Sequence, residues 1–105
     1  MEKFVLLYSG AGTMGATPEE QKKAMDAWMG WFGSLGEAVV DSGSPFGASS
    51  TIAAGGTSLG AGESSLNGYS IITADSLDDA ARMANGCPVL ADGGKVEIYQ
   101  ALPMG

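Results

Sequence analysis

The sequence has no histidine and one cysteine, Cys87, and its 12 acidic side chains face only 5 basic ones. Each shortage excludes a class of chemistry. Without imidazole there is neither a histidine general base nor a histidine metal ligand. A single thiol forms no internal disulfide and no thiolate cluster. No acidic spacing resembles a calcium loop, so no metal and no cofactor are expected. The formal net charge is -7, and the cations are Lys3, Lys22, Lys23, Arg82 and Lys95. Only Lys22 and Lys23 are adjacent, and Glu19, Glu20 and Asp26 surround them. Nucleic acid and anionic membranes need clustered cations, so neither is an expected partner. No run reaches the roughly 18 apolar residues of a membrane span. Met1 to Tyr8 enters a strand directly and does not resemble a signal peptide. A cytoplasmic protein is the expectation, and a lone cysteine suits a reducing compartment.

What is present reads as one domain over residues 1–105, rich in small residues: 17 are glycine, and 45% of the chain is hydrophobic. A domain of this size buries only about two thirds of the surface that its unfolded chain exposes. With no cross-link to supplement the core, oligomerisation is the usual remaining support.

Phe4-Val5-Leu6-Leu7-Tyr8 reads as a central strand, and Gly10, Gly12 and Gly15 after it as a loop. The spacing matches Gly-x-Gly-x-x-Gly, but the helix starts only at Thr17-Pro18 and no parallel βαβ unit follows, so a nucleotide loop is rejected. Thr17-Pro18-Glu19-Glu20 is a helix start with a capping residue, a first-turn proline and a capping-box glutamate. The stripe Met25, Trp28, Phe32, Leu35 and Val39 predicts a helix running to about Asp41. Its centre, Trp28, is expected in the core, and Trp31, on the flank, against a partner or a loop. Gly43 reads as a natural end.

Ser50-Thr51-Ile52-Ala53 reads as a weak strand with a turn at Gly55-Gly56, and residues 60–65 as exposed loop. Gly68 to Thr73 alternates as a clearer strand. A second helix begins at Asp75 or Ser76, with Leu77, Ala80, Ala81 and Ala84 as its inner stripe and Gly86 as its stop. Cys87 to Leu90 is a tight apolar connection, Asp92-Gly93-Gly94 a turn, and Lys95 to Leu102 the last strand. The order βαββαβ is that of a ferredoxin-like α+β domain, with both helices on one face of an antiparallel sheet. The other face still carries apolar and aromatic residues. A second subunit covering it would make a dimeric α+β barrel.

The chain resembles the YCII-related proteins. The likeness rests on Lys3 to Tyr8, on Gly68-Tyr69-Ser70-Ile71-Ile72 with Ala74 to Ala80, and on Asn85-Gly86-Cys87-Pro88-Val89-Leu90 followed by Gly93-Gly94-Lys95-Val96-Glu97-Ile98-Tyr99. It implies a dimeric α+β barrel with a cleft between sheet and partner. The family's His-Asp pair has no counterpart here. Its Asp-Gly-Pro-Phe segment is replaced by Glu63-Ser64-Ser65-Leu66-Asn67-Gly68. The resemblance therefore carries the fold and leaves catalytic residues unknown.

Glu97 and Tyr99 share a face of the last strand, and Tyr69 belongs to the same face if the alternation holds across the sheet. These three are the candidate ligand-binding residues, in a cleft between two sheets. The opposite parity would line that cleft with Ser70, Ile72, Val96, Ile98 and Gln100. Cys87 reads as a small buried hydrophobe rather than a nucleophile. The expected function is binding of a small molecule by a homodimer. The alternatives are a histidine-independent lyase, isomerase or monooxygenase-like enzyme, and a non-catalytic interaction module.

Overall fold

The structure, a computed structural model, describes residues 1–10, 17–62, 65–91 and 93–103. Most of the Gly10–Gly15 loop, residues 63 and 64 of the middle loop and Asp92 of the last turn lie outside the described residues. The chain is mixed α+β. Strands β1 (Glu2–Ser9), β2 (Val39–Asp41), β5 (Leu66–Ala74) and β6 (Lys95–Ala101) form a four-stranded sheet in the order β2-β5-β1-β6. Every pairing in it is antiparallel. Strands β3 (Thr51–Ile52) and β4 (Ser58–Gly60) form a separate two-stranded hairpin. The helices are α1 (Pro18–Leu35), α2 (Leu77–Ala84) and the single turn α3 (Pro88–Ala91). No helix among the described residues is long and apolar enough to cross a membrane.

Two-residue periodicity sorts the sheet into a helical face and an open face. Phe4, Leu6 and Tyr8 of β1 point under the helices and are buried, as are Ser70, Ile72 and Ala74 of β5. Trp28, Phe32, Leu35 and Met83 pack onto this layer from the helices, and Val96 and Ile98 from β6. Full burial of each large apolar side chain contributes about 1.5–3 kcal/mol, so this one-sided layer holds the domain. Val5, Leu7, Tyr69, Ile71 and Thr73 lie half-buried on the open face. The molecule is a slab of 44 × 42 × 19 Å with a radius of gyration of 15.1 Å. A compact chain of this length is expected near 13 Å.

Local signals set the helix starts. Thr17 Oγ1 accepts from the Glu20 N–H at 3.1 Å, with Pro18 in the first turn. Ser76 Oγ accepts from the Asp79 N–H at 3.1 Å. Each satisfies one of the free N–H groups of a helix N-terminus.

Four expectations are corrected. The first helix stops at Leu35 and not near Asp41, because Gly36 takes a positive φ of 57° and its N–H closes on the Phe32 carbonyl. The β-branched pair Val39-Val40 then forms β2, pairing with β5 at Ile71 and Ile72. Val39 satisfies the helical stripe and a strand equally well, and the sheet edge decides. The second strand of the main sheet is therefore β2, and the Thr51–Ile52 strand belongs to the hairpin. On α2, Ala80 and Ala84 are buried but Leu77 is exposed and Met83 replaces it against the core. The roles of the tryptophans are exchanged: Trp31 is buried in the core, and Trp28 is only partly buried.

Candidate functional site

The strand after α1 does not end cleanly at Asp41. Residues 42–46 continue beside the beginning of β5, held by the Tyr69 N–H donating to the Ser44 carbonyl at 3.3 Å and the Phe46 N–H donating to the Asn67 carbonyl at 2.8 Å. Two glycines permit this approach. A Cβ on Gly43 would overlap the Tyr69 carbonyl oxygen, and one on Gly68 would meet the Ser44 carbonyl oxygen at 3.0 Å. Gly43 also has a φ of 79°, which side-chain-bearing residues rarely adopt. Asp41 fixes the turn by accepting from the Gly43 N–H at 2.8 Å. Phe46 stacks on Tyr69 at a centroid distance of 5.8 Å.

This segment forms the outer rim of a cleft of about 540 Å³ between α1 and the sheet. Ala24, Met25, Trp28, Met29 and Phe32 form its α1 wall, residues 42–45 and 67–70 its rim and side, and Tyr8 and Val89 complete it. The Trp28 ring stands edge-on to Tyr8 at 5.0 Å and packs against Phe32 at 5.9 Å. Met25 and Met29 lie exposed on the same helix. Methionine side chains adapt their shape to what they contact. The volume falls within the range of roughly 300–1,000 Å³ usual for small-molecule sites.

A chain of hydrogen bonds crosses this largely apolar wall, whose rim also carries Ser44, Asn67 and Tyr69. The Tyr8 hydroxyl donates to Ser70 Oγ at 2.8 Å, and Ser70 Oγ donates to the Ser42 carbonyl at 2.7 Å. All three residues line the cleft. Burial pushes the Tyr8 phenol well above its usual range, and nearby Cys87 adds to the rise. Tyr8 is therefore a neutral hydrogen-bonding group at neutral pH. No Asp, Glu, Lys, Arg or Cys is among the described residues lining the cleft.

The three sequence-predicted site residues sit elsewhere. The pairs Leu7↔Tyr69 and Leu7↔Glu97 place Tyr69 and Glu97 on either side of Leu7, one strand apart, on the open face. Tyr99 follows on the same face of β6, opposite Val5. Their polar tips are paired locally. The Tyr99 hydroxyl donates to Glu97 Oε1 at 3.0 Å, and the Tyr69 hydroxyl donates to Asp41 Oδ2 at 3.1 Å. Each carboxylate raises the pKa of the phenol bonded to it, first by that hydrogen bond and then by its charge. The structure thus brings Glu97 and Tyr99 together and couples Tyr69 to Asp41 instead. Of the three, only Tyr69 also borders the cleft under α1. Sequence reasoning missed Tyr8, Met25 and Met29 as site residues, and it named Ser70 only for the opposite parity, as lining a cleft between two sheets. The Tyr8 and Ser70 positions share strand parity, a signal that could have paired their hydroxyls.

Cys87 is buried in the core. Burial pushes its thiol up from 9.0 to about 11, partly offset by a hydrogen bond with the Val89 backbone. A thiol so shifted is not a nucleophile at neutral pH. It does predict alkaline instability. Between those two values the folded chain keeps a proton that the unfolded chain has lost, so stability falls as pH rises from about 9 to about 11. The loss is on the order of 2 kcal/mol at the upper end, and Tyr8, shifted in the same direction, extends it. Urea midpoints measured across this range should fall, and Cys87→Ala should flatten the first part of the fall. A level midpoint through about pH 10.5 would contradict this assignment.

Compared with protein-family models, curated proteins and solved structures, the chain matches none.

Proposed function

We propose that this chain is a small-molecule-binding domain whose ligand lies in the cleft between α1 and the sheet. The observation that carries this reading is the cleft's construction: a largely apolar wall of aromatic rings and methionines around one ordered chain of hydroxyls. Binding sites for small organic molecules combine these features. Binding is favoured over turnover because the described lining residues offer no carboxylate, ammonium or thiol to move a proton or attack a bond. The ligand position proposed is thus beneath α1, bordered by Tyr69 but away from Glu97 and Tyr99. Titration with naphthalene, followed by tryptophan fluorescence and by chemical-shift changes, tests it. Saturable shifts at Tyr8, Trp28 and Ser70 are expected. Shifts confined to the open face would return the site to the sequence-predicted residues.

A second reading concerns the open face. The strand order β2-β5-β1-β6, with α1 and α2 on one side, supports a ferredoxin-like domain and the resemblance to YCII-related proteins. Val5, Leu7, Ile71 and Tyr99 remain at least partly exposed on the opposite side. A homodimer packed sheet to sheet covers them and forms the dimeric α+β barrel, with Glu97 and Tyr99 paired at its margin. Sedimentation equilibrium should give twice the chain mass of 10.6 kDa. Leu7→Asp, a charge at the centre of this face, should shift the equilibrium toward monomer. A wild-type monomer at micromolar concentration would exclude the barrel.

A further inference from the structure

The hydroxyl chain in the cleft has a fixed proton order. The Ser42 carbonyl can only accept, so the one proton of Ser70 Oγ goes to it, at 2.7 Å. Ser70 can then only accept from Tyr8, and the one proton of the Tyr8 phenol is committed to that bond, at 2.8 Å. What Tyr8 has left is lone-pair capacity. The group that the chain presents to a ligand is therefore an acceptor, although tyrosine is usually counted as a donor.

Resting on the cleft as the binding site, we propose that its ligand is a neutral planar molecule of one or two fused rings bearing a hydroxyl or N–H, of the phenol or indole class, which donates a hydrogen bond to the Tyr8 oxygen. The ring system follows from the walls. Trp28 stands edge-on to Tyr8 and leans against Phe32, so aromatic faces and edges border the space, and such rings favour offset or edge-to-face partners. The volume of about 540 Å³ holds two fused rings. Neutrality follows from the absence of a charged side chain among the described lining residues: a carboxylate or ammonium would be desolvated there without a counter-ion. The net charge of -7 adds a long-range penalty against anions. The donor requirement follows from the proton order. A ketone, ether or ester oxygen would meet the Tyr8 lone pairs with its own.

The test compares three probes of one shape: 2-naphthol, its methyl ether and naphthalene, each titrated into the full-length chain by calorimetry and by chemical-shift perturbation. The wild type should bind 2-naphthol about tenfold more tightly than the ether or naphthalene, the gain expected of one buried hydrogen bond. In Tyr8→Phe that preference should fall to within about twofold. Ser70→Ala gives a readout that a merely structural role would not produce. It frees the Tyr8 proton for donation, so the ether should gain on naphthalene. Equal binding of 2-naphthol and its ether by the wild type overturns the proposal and leaves the cleft as a nonselective apolar site. A preference for 2-naphthol that survives in both variants also overturns it. If none of the three probes binds, the cleft is not a ligand site, and the earlier reading falls with this one.

Discussion

Replacing Gly43 by alanine should cost this domain more stability than any other single-methyl addition along the rim of its cleft. The new Cβ would overlap the Tyr69 carbonyl oxygen, and the backbone there has a φ of 79°. The conformational cost alone is about 1–2 kcal/mol for a residue with a side chain. The overlap is with backbone, which cannot rotate away as a flexible side chain would. Relief requires residues 42–46 to lift from β5. That breaks the bond from the Tyr69 N–H to the Ser44 carbonyl and leaves Ser70 Oγ without the Ser42 carbonyl. A total loss of roughly 3–5 kcal/mol is expected, out of the 5–15 kcal/mol usual for a whole domain. Naphthalene binding should weaken together with stability, because the same segment is the rim of the cleft. Gly47→Ala is the control. A Cβ there meets nothing within 4 Å, and a change within about 0.5 kcal/mol is expected. Equal urea midpoints for the two variants would mean that the segment is not held against β5.

The second large effect separates two tryptophans three residues apart. Trp31 is 7% exposed, and its indole N–H donates to the Met83 carbonyl at 3.0 Å. Gly86 lies against the same ring, where a Cβ would come within 3.1 Å of Cδ1. Trp31 therefore ties α1 to α2 and to the turn after it. Trp31→Ala should cost about 3–5 kcal/mol through the cavity it leaves, with a further loss from the indole bond to the Met83 carbonyl, which would keep only backbone partners such as the Gly86 N–H at 3.4 Å. Trp28→Ala should be milder in stability, since Trp28 already borders open space, and more severe in binding, since it is a wall of the cleft. Urea unfolding of both variants, with naphthalene titration of whichever folds, distinguishes them. A larger loss of stability for Trp28→Ala would reverse the roles assigned to these two side chains.

The exchange of roles between Trp28 and Trp31 shows where reading from sequence stops. A helical stripe gives the spacing of an apolar face but not the angle at which the helix meets its sheet. Trp28 is the centre of the sequence stripe, yet the structure rotates the buried line toward Trp31, which finds an acceptor on α2. Met25, counted in that stripe, is 56% exposed and ends over the cleft. Nothing local to α1 encodes this. The partners are 52 residues away for Trp31 and lie on another helix.

The sequence by itself determined whatever rests on short-range chemistry. The Thr17-Pro18 and Ser76 helix starts follow from capping, and the alternation within β1, β5 and β6 follows from the two-residue period, which puts Glu97 and Tyr99 on one face, whereas the register through Leu7 put Tyr69 beside them on the open side. The α+β class follows from the order of these elements. The absence of histidine, a property of composition alone, limits the chemistry regardless of fold. Tertiary structure decided the rest because the deciding contacts are distant in sequence. Val39 became a strand because β5 offered it an edge. The hydroxyl chain of Tyr8, Ser70 and Ser42 joins residues up to 62 positions apart. The cleft exists because glycines at positions 43 and 68 let two backbones pass close together, in a stretch of serine and glycine whose composition favours no single conformation.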